Sequence, residues 1–391
     1  MGAAPGEPAA TGEVESGEVD LSLMDEVPAG HGGGELNTAN EQRGQGGANP
    51  HGPTNPHGGG NPHSAGSVAP QFKTYFDLNL YSMPGGSAGG GVGLTFDNFH
   101  SFVMLDIIPT PDIQFSADVS TSPRFYELAY KLTPSVTARF GKIWVPFDDM
   151  NPHHIYGGRV NVSRLTNGDN FLPDIFTDLG VGIDWKAIET ARISLEVKGY
   201  VLNGFRAAGA DPLTPNSAYP AFGAQLPISP DNNKDKAIGG RAHLLISQTW
   251  GVGASYYTAR WTDQETDPRR LTMLGADLQA NFGRTTFRFG YAQMKVALPA
   301  TAAAPQFLRG ANYFELAHRL GEQRRWRVTA RAGTQNLDDR AIDKNDRKIA
   351  GLQLAFRPNM IEFSLEFSRD LYKLTEKTNY NFTNLRVVAA F

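Results

Sequence analysis

The sequence predicts an all-β fold, a transmembrane antiparallel β-barrel of about 16 strands with a disordered N-terminal extension. Three observations predict it. From Phe72 onward apolar and polar residues alternate in blocks of about ten, the period of a half-buried strand. The connections between blocks switch between brief and long. No run of about 18 apolar residues offers a transmembrane helix, so a crossing must be made by strands.

The first strand, 72–81, opens where aromatic residues first appear, and a glycine-rich stretch, 82–98, separates it from 99–108. Strands at 112–120, 124–132 and 136–145 come next, the last two joined by the turn "TPS" at 133–135. The long connection 146–176 leads to 177–187 and 192–203, and a second, 204–236, to 237–247 and 250–260. After 261–269 the hairpin 270–282 and 285–296 shows the alternation plainly: Leu278, Ala280 and Phe282 face one way, Gln279 and Asn281 the other. Beyond Gly283-Arg284, Phe287, Phe289 and Tyr291 alternate with Arg288 and Gly290. After 297–309 come 310–320 and 325–335 around "GEQR", then 347–357 and 360–369 around "RPN", and last 379–391.

Short turns at one end and mostly longer loops at the other suit a barrel in lipid, where an open sheet edge has no hydrogen-bond partners. Leu, Val, Ala and Phe supply mid-strand apolar positions, and Tyr126, Tyr130, Trp144, Trp185, Trp250, Tyr256 and Trp326 stand near strand ends as an aromatic girdle. The inward set reads as polar, which implies a wet lumen. A soluble sandwich also alternates but rarely sustains so many long amphipathic strands, and no blade-like period of about 40 residues suggests a propeller.

Composition divides the chain at residue 70. Residues 1–70 hold no aromatic residue, abundant Gly and Pro, nine acids and one base, Arg43. Of the chain's totals of 36 basic and 40 acidic residues this leaves 35 and 31 to the barrel region, 71–391. Such an extension buries too little apolar surface to offset chain entropy and is expected to be disordered. Its one apolar island, "GEVDLSLMDEVP" at 17–28, reads as linker or as a docking peptide. The tract "NPHGPTNPHGGGNPH" at 49–63 reads as a tether, or as a weak divalent-metal site in which His51, His57 and His63 converge on zinc, copper or nickel. Asn-Pro-His recurs at 151–153. No other cofactor is indicated, cysteine is absent, and no basic stripe suits nucleic acid.

The alternation assigns inward charges. The first four strands present Asp77, Asp106, Asp118 and Glu127 with Lys131; the eleventh to thirteenth present Arg288, Arg319, Arg327 and Arg331 with Glu315. Facing walls of opposite sign would set a transverse field, or the charges pair with wall neighbours and keep the lumen hydrated. The remaining inward list balances Asp184, Glu196, Asp277, Glu362 and Glu366 against Lys186, Lys198, Arg139, Arg241 and Arg386. The connection 146–176 offers Asp148, Asp149, His153, His154, Arg159, Arg164 and Asp169, either as an inward constriction or as a plain external loop.

Catalysis is not indicated. "GGSAG" at 85–89 matches G-x-S-x-G with Ser87 as nominal nucleophile, but that motif works on a strand-to-helix turn and Ser87 lies in a glycine run. His100, at a loop edge, His243, facing the lumen, and His318, near the short-turn end, lack a serine and carboxylate at recognisable spacing.

The chain ends "NLRVVAAF", which looks like the terminal strand of Gram-negative outer-membrane proteins, whose closing phenylalanine, here Phe391, is read by the barrel-assembly machinery. "ARFGKIWVPFDDMN" (138–151), "YVLNG" (200–204) and "YFELAHRLG" (313–321) resemble segments of the phosphate-selective porin O and P family. The resemblance implies a homotrimer among outer-membrane lipid and lipopolysaccharide, with the extension in the periplasm. It also implies passive diffusion of small hydrophilic solutes or ions through a lumen narrowed by 146–176. Strong anion selectivity is not carried over, because the inward acids match the bases. The alternative is an anchor barrel whose extension binds a periplasmic or envelope partner.

Overall fold

A computed structural model of the chain describes residues 70–83, 93–119, 125–147, 176–205, 235–247, 249–262, 269–336, 338–340, 347–358, 360–372 and 380–390. They form one antiparallel sheet of sixteen strands: β1 (Gln71–Met83), β2 (Gly93–Thr110), β3 (Ile113–Asp118), β4 (Tyr126–Thr133), β5 (Val136–Trp144), β6 (Thr177–Glu189), β7 (Ile193–Leu202), β8 (Ala237–Ile246), β9 (Trp250–Arg260), β10 (Arg270–Phe282), β11 (Thr285–Ala297), β12 (Gln306–Leu320), β13 (Trp326–Asn336), β14 (Arg347–Phe356), β15 (Ile361–Tyr372) and β16 (Tyr380–Ala390). Each strand pairs with its sequence neighbours, and β1 pairs with β16 through Leu80↔Leu385 and Tyr75↔Ala390, closing the barrel.

Every expected strand is present. β2 and β12 begin earlier than the alternation suggests, because their N-terminal ends are carried by ladder pairs, Met83↔Gly93 and Ala297↔Gln306. His100 accordingly lies within β2, opposite Asp77, rather than at a loop edge. Both ends of the chain's sheet, the start of β1 and the end of β16, share the short-turn end. There Gly283, at φ 61°, and Gly321, at φ 76°, supply left-handed backbone that other residues resist.

The outer face is apolar. Ile183, Ile238, Leu274, Leu352 and Phe367 are each more than half exposed. In water such a surface would be an association liability; against acyl chains it is the required contact. Tyr126, Tyr130, Trp185, Trp250, Tyr256 and Trp326 are exposed as expected. Near the short-turn end Trp250 meets Phe282 edge-on at 5.3 Å and Trp326 stacks tilted on Phe356 at 4.5 Å. Trp144 is the exception: it is buried, with the Phe125 ring 5.7 Å away, so it does not belong to the exposed girdle.

The inner face corrects the expectation of a uniformly polar lumen. In the long-loop half of β5–β12, inward positions are apolar: Tyr200, Tyr257, Leu271, Met273, Met294 and Val296 form a continuous buried cluster. The segments leaving those strands fold over it, with Phe176 placing its ring 5.4 Å from Phe205 and 5.7 Å from Tyr257. Phe147, just past β5, reaches β10: a Cβ on Gly275 would stand 3.2 Å from the Phe147 ring, so that glycine leaves room for it. Arg269 over Trp261 at 5.1 Å and Arg340 over Phe307 at 4.6 Å cap the cluster at its edge. The barrel's hydrophobic core therefore lies inside it, against one wall, near the long-loop end.

The lipid-facing assignment predicts that Leu352→Arg, mid-strand on β14 and 53% exposed, destabilises the barrel by about 2–4 kcal/mol in bilayers. On a water-facing surface the same change would shift stability by no more than about 0.5 kcal/mol. Urea unfolding in lipid vesicles measures the difference.

Candidate functional site

Most of the lumen's charged groups lie toward the short turns, and opposite charges on nearby strands build them into pairs; Arg309, opposite Met294, and Asp178 are buried at the long-loop end. Arg241 on β8 grips Asp277 on β10 with two guanidinium nitrogens, at 2.5 and 2.8 Å, and also donates to Ser255 on the intervening β9 at 3.1 Å. The pair lies across Gly253, where a Cβ would collide with the Asp277 carboxylate. This two-pronged geometry holds planar guanidinium and carboxylate in one orientation.

Similar pairs continue along the wall. Arg139 on β5 donates to Glu127 on β4 and stands 3.7 Å from Asp184 on β6. Lys198 on β7 lies 3.8 Å from that same Asp184 and 3.3 Å from Glu196. Glu315 on β12 is flanked by its direct cross-strand neighbours Arg288 and Arg331, at 3.7 and 3.1 Å. Arg327 on β13 reaches across β14 to Glu362 on β15 at 2.9 Å. Asp106 on β2 takes a hydrogen bond from Ser116 at 2.5 Å and an ion pair from Lys73 at 2.8 Å. Most of these charges are thus paired with neighbours along the wall.

Of the candidate residues, Asp106, Asp118, Glu127, Arg288 and Arg331 are buried and Arg319 and Arg327 half-buried. Asp77 holds its place in the β1 ladder. Lys131, by contrast, is exposed at the end of β4, and Lys186 is drawn to Glu189 at the β6–β7 turn, 3.3 Å away. Asp148, Asp149, His153, His154, Arg159, Arg164, His51, His57, His63, Phe391 and Ser87 lie outside the described residues. Among the described residues no group of three or more His, Asp or Glu is placed to hold a metal ion.

Sequence reasoning passed over the apolar cluster, whose signal was available: at 271, 273, 294 and 296 the inward positions are Leu, Met, Met and Val. The inward arginines expected on the eleventh to thirteenth strands, Arg288, Arg319, Arg327 and Arg331, do come together, lining one recess near the short turns with Glu315, Thr286, Thr329 and Arg284, the last not among those expected. Beside it, in the β14–β15 turn, burial holds the Arg357 guanidinium below the usual arginine value; Glu362 opposes that shift and Arg327 adds to it.

No protein-family model and no curated protein matches the chain. Solved structures do. An anion-selective porin from Comamonas acidovorans aligns with TM-score 0.56 at 8% identity, covering 83% of this chain and 99% of that one. The outer-membrane channel DcaP of Acinetobacter baumannii aligns at 0.54 and 10% identity, covering 82% and 97%. The trimer form of OmpT, an outer-membrane protein of Vibrio cholerae, aligns at 0.51 and 10%, covering 83% and 99%. The fold is therefore that of the outer-membrane porin barrels. None of these likenesses singles out the phosphate-selective O and P family.

Because Glu315 sits between two guanidiniums, Glu315→Gln should leave Arg288 and Arg331 uncompensated and lower stability by about 3–5 kcal/mol. Chemical denaturation should show a correspondingly lower midpoint, and Glu315→Asp should restore part of the loss.

Proposed function

We propose that this chain is an outer-membrane porin that lets small hydrophilic solutes or ions diffuse passively through its lumen. The observation that carries the reading is a closed barrel of sixteen strands with an apolar exterior and a belt of paired charges inside. Paired charges hold water in the lumen without presenting one dominant sign, so selectivity is expected to be weak. The relatives named above supply context: one is described as an anion-selective porin, one as an outer-membrane channel and one as a trimer form. In our reading this chain also works as a homotrimer, with no catalytic role.

The connection 146–176 narrows the pore in this reading. Phe147, at its root, packs inward on β10, and that contact supports the reading. A second reading, an anchor barrel whose extension binds an envelope partner, draws support from the apolar cluster that fills part of the lumen.

Single-channel recording of purified protein in planar bilayers separates the two. The porin reading predicts discrete, ohmic openings, a cation-to-anion permeability ratio within about tenfold of unity, and a larger conductance for Phe147→Ala. A folded, inserted barrel that does not conduct would overturn it.

A further inference from the structure

The short-turn mouth of the barrel carries a concentration of arginine that outnumbers the acids around it. Four neighbouring structural positions contribute: Arg284 in the β10–β11 turn, Arg319 at the end of β12, Arg325 and Arg327 at the start of β13, and Arg357 in the β14–β15 turn. They are tied into one patch. The Arg319 N–H donates to the Arg284 carbonyl at 2.9 Å, and the Arg357 N–H to the Arg325 carbonyl at 2.8 Å. Arg319 and Arg327 stand directly opposite each other in the β12–β13 ladder, a like-charge juxtaposition that costs stability by itself. Among the described residues, acids nearby are few. Glu362 is committed to Arg327 at 2.9 Å, Glu315 lies deeper between Arg288 and Arg331, and Glu322 is exposed on the turn.

The chain itself holds a complementary partner. Residues 1–70 carry nine acids against the single Arg43, and four of them, Glu18, Asp20, Asp25 and Glu26, surround the apolar Leu21, Leu23 and Met24. This segment enters the barrel at β1, whose first residue, Gln71, lies at the same short-turn end as the arginines. From β1 to β13 around the wall, through β16, β15 and β14, is four strand spacings, about 19 Å. A flexible chain of the length separating Asp25 from Pro70 has a root-mean-square span of about 37 Å. The acidic stretch therefore reaches the patch, and tethering gives it an effective concentration on the order of millimolar.

We propose that the acidic segment around 17–28 docks intramolecularly on the arginine patch at the short-turn mouth. The arginines supply charge-assisted hydrogen bonds to the segment's carboxylates. The proposal goes beyond the porin reading and rests on the barrel and its charges, not on conduction.

Because the chain has no cysteine, the test can use the full-length protein with two introduced ones, Ser22→Cys in the segment and Glu322→Cys on the β12–β13 turn. Spin labels at both, read by pulsed electron resonance at low salt, should give a narrow distance population well below the roughly 37 Å of a free chain. Raising NaCl to about 1 M, where the screening length falls to about 3 Å, should broaden and lengthen it. Combined Arg319→Gln, Arg327→Gln and Arg357→Gln should do the same at low salt. If those substitutions unfold the barrel, Glu18→Gln, Asp20→Asn, Asp25→Asn and Glu26→Gln remove the same attraction from the other side. A broad distribution centred near the free-chain value at low salt, indifferent to salt and substitution, would overturn the proposal. A non-conducting barrel with the narrow distance would overturn the porin reading and leave the docking intact.

Discussion

Everything in this molecule depends on the β1–β16 ladder that closes the sheet. A backbone N–H or C=O turned toward acyl chains has no water to bond, so an open edge would cost several kcal/mol per unpaired group. Closure removes the edge, and once the ring is closed the strand register is no longer free. Slipping one strand by one residue would turn its apolar set inward and its charges into lipid. The alternation along each strand and the circular pairing therefore enforce each other.

Closure also creates an interior that has to be filled or hydrated. The chain does both, in different halves. Toward the short turns, charges stand on the wall in cross-strand pairs, such as Arg241 with Asp277 and Glu315 with Arg288 and Arg331. Toward the long loops, β5–β12 present an apolar cushion on which the loop roots at Phe147, Phe176 and Phe205 come to rest. The polar remainder of the ring, with Gln353, Glu366, Asn384 and Arg386 on β14–β16, faces that cushion from the other side.

Most of the strand plan could be read from period-two alternation, because a strand with lipid on one side and lumen on the other has to declare both faces. The hairpin around Gly283-Arg284 shows why: Leu278↔Phe289 and Ala280↔Phe287 share one face, Gln279↔Arg288 and Asn281↔Thr286 the other. Legibility failed where that contrast disappears. At Leu271 and Met273, or Met294 and Val296, the inward residues are apolar because loop roots cover them, and alternation alone cannot tell lipid from a packed aromatic. Trp144 misleads for the same reason: an indole near a strand end marks a girdle only if nothing such as Phe125 lies over it. Pairing was only half visible. The inward parity of Arg139, Asp184 and Lys198 is a one-strand property, whereas their contacts depend on register between β5, β6 and β7, which the turns set.

The central claim, a closed barrel with lipid outside and water inside, is tested most directly by single-cysteine scanning along β12 and β13 in vesicles with a charged, membrane-impermeant thiol reagent. The cysteine-free background makes each label unambiguous. Ala317→Cys and Arg327→Cys, at half-buried positions lining the charged recess, should react, while Phe314→Cys and Leu316→Cys on the outer face should not. Equal labelling of both sets, or labelling confined to 314 and 316, would contradict the account.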